Sequence, residues 1–136
     1  MTYLLDTNIV SALMKGTPAV VDRLAATERT DVAVPQPVLA EIAFGLERLP
    51  RSKRRSELQE RFDLVSAEVA HAEWTDDVSL TYGRIKAALE RRGERIEDFD
   101  AAIAAHAVAA GSTLVTTNAA HMKRVPGLKV EDWTAA

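Results

Sequence analysis

Cysteine is absent from this chain of 136 residues, which excludes disulfide frameworks, thiolate metal sites and thiol nucleophiles. Aromatic residues make up only 5% of the chain, too few for a nucleic-acid binder that relies on base stacking. The longest apolar run, residues 101–110, is interrupted by His106 and is far shorter than the ~20 residues that span a bilayer. The opening apolar stretch ends at Asp6, too soon for a signal peptide. We expect a cytoplasmic protein with no membrane partner.

Neither sign of charge dominates, because 17 basic residues stand against 20 acidic ones and the net charge is −3. This balance argues against a surface that coats nucleic acid without selectivity. If Asp6, Glu41, Asp98 and Asp100 share one pocket, the rest of the protein has a charge of +1, from 17 basic and 16 acidic groups. An acidic pocket in such a body suits a protein that holds a divalent cation and a phosphate polymer together. The length predicts a single domain over residues 1–136.

Short apolar runs alternate with helical patterns along the whole chain. Strands are predicted at residues 3–5, 32–34, 113–116 and 128–130, and the ambiguous segment 64–74 has room for an edge strand. Helices are predicted at residues 8–15, 17–29, 38–49, 52–62, 76–92, 100–110 and 119–123. This alternation predicts a three-layer α/β/α fold with a four- or five-stranded, mainly parallel sheet. Ligands of such sheets bind beyond the carboxyl ends of the strands.

Four acidic side chains fall where that edge of the sheet is expected. Asp6 follows the first strand, and Glu41 lies on the shoulder of the apolar stripe of the third helix. Asp98 and Asp100 precede a helix that is apolar nearly all round. Each acid also has an ordinary interpretation when taken alone. Asp6 is a good helix cap, Glu41 suits a salt bridge, and Asp98 can cap the helix while Asp100 points into a pocket.

Taken together, the acids favour a metal site. Carboxylates that are brought close repel each other and their pKa values rise, unless a cation lies among them. Mg²⁺ binds carboxylate oxygens, keeps several waters and accepts phosphate oxygens. The absence of cysteine and the scarcity of histidine favour such a hard ion over zinc.

Five segments stand out as motifs: YLLDTN at residues 3–8, VLAEIAFG at 38–45, DFDAAIAAHA at 98–107, LVTTN at 114–118 and VPGLKVEDW at 125–133. Each motif is weak alone, but together they span most of the sequence. In kind and in order they resemble those of PIN-domain ribonucleases, and among them the VapC-type toxins of bacterial toxin–antitoxin pairs.

The resemblance implies a metal-dependent endoribonuclease in which Asp6, Glu41 and Asp100 bind Mg²⁺ or Mn²⁺ and position the attacking water. Asn118 stands where many members carry a fourth acid. Its neutral amide can hydrogen-bond a phosphate or a metal-bound water but adds no negative charge.

Further roles follow from the same resemblance. Thr7 is expected to hold phosphate or water beside Asn118, and Asp98 and Thr116 are auxiliary members of the site. A cognate antitoxin is expected to cover the acidic groove, and the toxin is expected to form a homodimer. The complex would bind its promoter DNA only through the antitoxin.

The residues themselves leave other classes open. A receiver-like phosphorylation domain needs a lysine after a late strand, but the first lysine after Thr116 is Lys123. A phosphatase with two aspartates separated by one residue would need an acid at Asn8. A catalytically silent RNA-binding module of the same fold is the remaining alternative, and loss of activity on replacement of Asp6 or Asp100 distinguishes it from a nuclease.

Other noticeable residues have ordinary interpretations. The basic side chains of residues 51–55 oppose the dipole of the helix that they begin, which hints at an anionic partner, although a solvated surface explains them as well. His106 is expected to be packed in the protein, and His121 is expected near the rim of the pocket. Trp74 and Trp133 are expected to be core or dimer contacts.

Overall fold

Five strands and seven helices alternate through residues 2–134, the part of the chain that the computed structural model describes. The strands are β1 Tyr3–Leu5, β2 Val32–Pro35, β3 Ala70–Ala72, β4 Thr113–Val115 and β5 Lys129–Glu131. The helices are α1 Thr7–Lys15, α2 Pro18–Ala25, α3 Gln36–Glu47, α4 Lys53–Glu68, α5 Asp76–Arg91, α6 Asp98–Ala110 and α7 Ala119–Met122. None of these helices is both long and apolar enough to cross a membrane.

The strands form one parallel sheet in the order β3-β2-β1-β4-β5. Consecutive connections run from β1 to β3 on one side of the central strand and then to β4 and β5 on the other. The crevice beyond β1 and β4 is therefore the switch point at which open α/β sheets bind ligands. Leu5 is paired with Val115, so that Asp6 and Thr116 follow side by side at the carboxyl edge.

Helices cover both faces of the sheet, as the predicted three-layer fold requires. Parallel crossovers are right-handed, so the reversal of strand order after β3 sends the later helices to the opposite face. Helices α1 to α4 pack against one another, and α5 packs along α6. The sheet between them is apolar on both sides, and Leu4, Leu5, Leu114 and Val115 have at most 1% of their surface exposed. The inner strands β1, β2 and β4 are accordingly mostly apolar in sequence, whereas the edge strands β3 and β5 also carry exposed polar residues.

The helix α6 is the most deeply buried in the described chain. Seven consecutive residues from Ala101 to Ala107 are buried, including His106. The small alanine side chains let neighbouring elements approach closely on all sides of this stretch. The stretch therefore has no solvent-exposed face that would carry polar residues. At its end Gly111 adopts φ of 66°, a left-handed conformation that glycine accepts at low cost, and the chain turns directly into β4.

Several element bounds differ from those predicted. Helix α2 ends at Ala25, and residues 29–31 form a separate 3₁₀ turn, because the apolar period stops after Leu24. Helix α4 continues to Glu68, well beyond the predicted end at residue 62. Its partly buried Leu58, Phe62 and Val65 keep a helical spacing that the sequence already contained.

The ambiguous segment does contain an edge strand, β3, which begins directly after α4. Helix α3 is rotated from the predicted stripe: Val38, Ile42 and Leu46 are buried, whereas Ala43 is exposed. Proline at the second helical position of α3 starts that helix two residues earlier than predicted.

Candidate active site

Asp6 lies directly beyond the central strand and is the N-cap of α1. Its Oδ1 accepts a hydrogen bond of 2.8 Å from the backbone N–H of Thr7. The side chain is buried, and this burial raises the pKa of Asp6 above its ordinary 3.8. Hydrogen bonds with Thr116 and Asn8 and with the Thr7 backbone act in the opposite direction, but burial outweighs them. The ionised form of Asp6 is therefore disfavoured at this position, and a nearby cation would stabilise it.

Thr116 ties the ends of β1 and β4 together below that carboxylate. Its buried hydroxyl oxygen accepts hydrogen bonds from the side-chain amide of Asn8 at 3.3 Å and from the backbone N–H of Asn118 at 3.0 Å. A further hydrogen bond joins its side chain to Asp6. Asn8 completes the link, because its Oδ1 accepts from the backbone N–H of Thr117 at 3.0 Å. This network holds the Asp6 side chain in place.

Glu41 reaches the same edge from α3. Its Oε1 accepts a hydrogen bond of 2.7 Å from the hydroxyl of Thr7, the residue that follows Asp6. Glu41 is half-buried beside Val38 and Ile42, so its predicted partial burial is confirmed, although the apolar stripe of the helix is rotated from the predicted one. Because Thr7 uses its hydroxyl proton on Glu41, it orients this carboxylate and has no proton left for a phosphate oxygen.

Asp100 joins the other two acids from the first turn of α6. Burial raises the pKa of its half-buried carboxyl above the ordinary 3.8, and the negative charges of Asp6 and Glu41 raise it further. His121 lowers this pKa and Glu97 raises it slightly. The repulsion places Asp6, Glu41 and Asp100 in one electrostatic environment, although they come from distant parts of the sequence.

These carboxylates are near enough to repel but are not gathered around a common point. Within residues 2–134, no three histidine or acidic side chains stand close enough together to hold a metal ion as they are placed. The three carboxylates therefore line an acidic crevice in which hydrogen bonds hold Asp6 and Glu41 in place, but they do not form a preformed metal-binding site.

The remaining predicted site residues lie at the margins. Asn118 is exposed and directly precedes α7, where its backbone N–H is bound by Thr116. Asp98 is the first residue of α6, and its Oδ1 accepts a hydrogen bond of 2.6 Å from Nζ of Lys86, which lowers the pKa of Asp98. The prediction that Asp98 caps this helix is wrong, because Glu97 takes the N-cap position and Lys86 draws the Asp98 side chain away.

Two polar residues of the crevice were not assigned to the site from the sequence. Asn8 bridges Thr116 and Thr117, a role that depends on the register of β1 with β4. His121 lies with its Nε2 at 3.8 Å from Oδ2 of Asp100. Its spacing of three residues from Asn118 was the only sequence signal for this position.

His106 and Trp74 pack against each other, whereas Trp133 lies in the core. His106 is packed as predicted, with its ring edge-on to Trp74 at 5.6 Å, and burial lowers its pKa to about 4. Its Nε2 has no hydrogen-bond partner among the described residues. Trp133 is a core residue that packs on Tyr3. Trp74 is 45% exposed, so of its two predicted roles the core position is wrong and the dimer contact stays a prediction.

The basic segment at the start of α4 is partly used within the protein. Arg55 contacts Oε2 of Glu47 at 2.5 Å and donates to the carbonyl of Leu49 at 3.2 Å. Lys53 lies 4.0 Å from Glu57. The Arg55 contacts join α4 to the end of α3, whereas the Lys53–Glu57 pair lies within α4. Internal contacts and a solvated surface therefore account for these two basic residues.

Replacement of Thr116 by valine tests whether its hydroxyl organises the crevice. The variant keeps the shape of the side chain but leaves the Asn8 amide and the Asn118 N–H without their acceptor. We expect the free energy of unfolding to fall by about 1–3 kcal/mol, the cost of leaving buried polar groups unpaired. Urea denaturation measures this change, and Thr117→Val, at the exposed neighbouring position, is the matched control. Equal denaturation midpoints for Thr116→Val and the wild type would contradict the assigned role.

Comparison with known proteins gives a consistent family match. The PIN domain family profile matches residues 3–128. The chain is 33% identical over 135 residues to Ribonuclease VapC2 of Rickettsia felis, covering 98% of each chain. It is 31% identical over 138 residues to the tRNA(fMet)-specific endonuclease VapC of Shigella flexneri, covering 98% of this chain and 99% of the relative.

The fold is matched equally well among solved structures. The crystal structure of VapBC2 from Rickettsia felis, bound to a DNA fragment from their promoter, aligns with a TM-score of 0.87 at 30% identity. This alignment covers 98% of the present chain and 99% of the other. VapBC-1 from nontypeable Haemophilus influenzae aligns with a TM-score of 0.84 at 27% identity, over 99% of this chain and 100% of that one.

Proposed function

Because the chain belongs to the PIN domain family, we propose that it is a ribonuclease toxin of the VapC type that hydrolyses RNA phosphodiester bonds and is neutralised by a cognate antitoxin. The observation that carries this proposal is the shared electrostatic environment of Asp6, Glu41 and Asp100 at the switch point of the sheet. Relatives that align over nearly the whole chain are named ribonuclease and tRNA-specific endonuclease, which supports RNA as the substrate class.

The residues of the crevice fit a divalent cation in charge and in chemistry. The donors are carboxylate oxygens, which hard ions such as Mg²⁺ and Mn²⁺ prefer, and the chain has no cysteine to favour a softer metal. Burial and mutual repulsion disfavour the ionised acids, and a dication would relieve both. Asp6, Glu41 and Asp100 would hold the ion, with Mg²⁺ proposed as the resident metal and Mn²⁺ as a substitute.

Such an ion supplies an activated water and offsets the negative charge that develops on the phosphate. The protein supplies the orientation of the groups around it. Thr116 and the Thr7 backbone hold Asp6, and the Thr7 hydroxyl holds Glu41. Asn118, at the exposed rim, offers a side-chain amide N–H to the scissile phosphate. Asp98 contributes negative potential at the margin of the crevice, although Lys86 offsets part of it.

The partners follow from the same family. The solved relative from Rickettsia felis is a VapBC2 complex bound to a promoter fragment, which supports a cognate antitoxin that covers the crevice. A toxin homodimer and contact with promoter DNA only through the antitoxin complete the proposal.

The chemical form of the products tests the proposed reaction. The purified protein is incubated with total RNA in Mg²⁺ and, in parallel, in excess chelator. If water attacks phosphorus, we expect fragments with 5′-phosphate and 3′-hydroxyl ends that a 5′-phosphate-dependent exonuclease degrades, and no cleavage in chelator. Fragments that end in cyclic 2′,3′-phosphate would contradict this route, because they require the RNA 2′-hydroxyl as the nucleophile.

A further inference from the structure

His121 lies at the rim of the acidic crevice and is fixed there by Arg124. Arg124 Nη2 is 2.9 Å from Nδ1 of His121, and Arg124 Nε donates to the backbone carbonyl of His121 at 3.2 Å. The same guanidinium donates to the carbonyl of Arg95 at 3.3 Å, and the Arg124 carbonyl accepts from Arg92 at 2.9 Å. The imidazole ring is therefore held from behind by a guanidinium that two backbone carbonyls anchor, on a residue whose own carbonyl is bound by Arg92.

This contact determines which ring nitrogen carries the proton. A guanidinium has only donors, so Nδ1 of His121 must accept the hydrogen bond from Arg124. A neutral imidazole with an unprotonated Nδ1 has its proton on Nε2. The N–H of His121 is consequently directed away from Arg124, and Nε2 is the nitrogen that faces Asp100.

No acceptor among the described residues uses that proton. Nε2 is 3.8 Å from Oδ2 of Asp100, which is too far for a hydrogen bond. His121 instead lines a cleft of about 280 Å³ beside Asp100, together with Arg95, Ile96, Glu97 and Asp98. The residue that carries this fixed N–H donor thus lines a polar cleft next to the proposed catalytic acids.

The charges around this cleft can accommodate an anion. The charge of Asp98 is offset by Lys86 at 2.6 Å. The positive charge of the exposed Arg95 then balances the negative charge of Glu97. The guanidinium of Arg124 lies on the far side of the His121 ring. An anion such as a phosphodiester in this cleft would therefore meet Arg95 and the fixed N–H of His121, with the guanidinium of Arg124 behind the ring.

We propose that the cleft beside Asp100 is a phosphate subsite of the RNA substrate, in which Nε2–H of His121 donates to a non-bridging phosphate oxygen. The inference rests on the proposed ribonuclease function and adds a substrate-contacting residue and its required tautomer. Arg124 is a positioning residue, because it acts by fixing the imidazole. Arg95 supplies positive charge at the cleft wall.

Two replacements of His121 separate this role from a structural one. His121→Leu removes the donor, and we expect kcat/KM for RNA to fall about 10- to 100-fold, the range for a hydrogen bond to a charged group. His121→Gln keeps an N–H near the position of Nε2 and is expected to recover most of that loss. His71→Gln, at an exposed histidine whose ring contacts Ser66, is the control and should cleave like the wild type. Equal rates for His121→Leu and the wild type would overturn the inference, as would equal losses in the Leu and Gln variants.

A spectroscopic readout keeps the test independent of activity. In the ¹⁵N NMR spectrum of the imidazoles at fixed pH, we expect His121 to carry its proton on Nε2, and Arg124→Met to remove that preference. Addition of inorganic phosphate or of short single-stranded RNA in chelator should shift the Nε2 signal. An Nδ1–H tautomer, or an Nε2 signal that neither probe moves, would refute the subsite. If the wild type cleaves no RNA but its Nε2 signal responds to phosphate, the proposed function fails and the anion site stands.

Discussion

Asp100→Asn is expected to abolish RNA cleavage while leaving the folded protein at least as stable as the wild type. The carboxylate of Asp100 is half-buried, and the charges of Asp6 and Glu41 repel it. The neutral amide of asparagine has nearly the same shape and removes that repulsion. It also removes a ligand from the proposed cation, whose contribution of several kcal/mol to the transition state corresponds to a rate loss of at least about 10³-fold.

Two measurements on the same preparation check this result. Cleavage of a defined RNA in Mg²⁺ should be lost, while the midpoint of thermal unfolding in chelator should stay level or rise. Asp22→Asn, an exposed acid on α2, is the matched control and should change neither. Cleavage by Asp100→Asn at the wild-type rate would favour a silent RNA-binding module over a nuclease. Loss of both activity and stability would mean that Asp100 is a structural residue.

The second large effect is a dependence of stability on pH that a divalent cation reverses. The pKa values of Asp6 and Asp100 are both raised above 3.8 in the folded protein. Above pH 3.8, the folded chain therefore holds protons that the unfolded chain has released. Each group contributes stability that is fully present below pH 3.8 and is lost as the pH rises through its raised pKa.

The lowered pKa values of Glu94 and Asp98 act in the opposite direction, so the wild-type curve alone does not isolate the crevice. The difference between the wild type and Asp6→Asn/Asp100→Asn does isolate it. In chelator, we expect the double variant to gain stability over the wild type progressively as the pH is raised above 3.8. Asparagine at position 6 still accepts the capping hydrogen bond from Thr7, so the helix start is preserved.

Addition of Mg²⁺ or Mn²⁺ at neutral pH should stabilise the wild type and leave the double variant unchanged. At a cation concentration 100 times the dissociation constant, the gain is about 2.7 kcal/mol, or roughly 5–10 °C in the midpoint for a domain of this size. Thermal unfolding with and without metal measures it. A double variant that responds as strongly as the wild type would place the cation elsewhere on the protein.

The fold was predictable wherever the chain contains a strong local signal. The buried strands at residues 3–5 and 32–34, the end of α1 at Lys15 and the start of α5 at Asp76 all lie where the sequence predicts them. Each of these features has a short-range signal. The strands are apolar runs, α5 is preceded by Thr75, whose hydroxyl accepts a hydrogen bond from the backbone N–H of Val78, and α1 is followed by Gly16 in a left-handed conformation. The length of α4 was underestimated, because its single apolar stripe is thin and its composition is highly polar.

The candidate site was predictable as a set of residues but not as a network. Asp6 and Asp100 stand at ends of elements that parallel topology brings to one edge, and that inference needs only the order of strands. The link from Thr7 to Glu41 and the bridge through Asn8 depend on side-chain direction and on strand register, which no pattern within one element contains. The ion pair between Lys86 and Asp98 likewise joins two packed helices, α5 and α6, so no pattern within either helix predicts it.

The direction of the central strand has a practical consequence for fusion proteins. The strand β1 enters the sheet at Tyr3 and delivers Asp6 to the opposite edge, whereas β5 leaves the sheet at Glu131 on the same edge as the acids. An affinity tag or reporter joined ahead of β1 therefore emerges on the far side of the molecule. Such a tag lies away from the crevice and leaves it open to long RNA, so assays of turnover are best performed with this fusion.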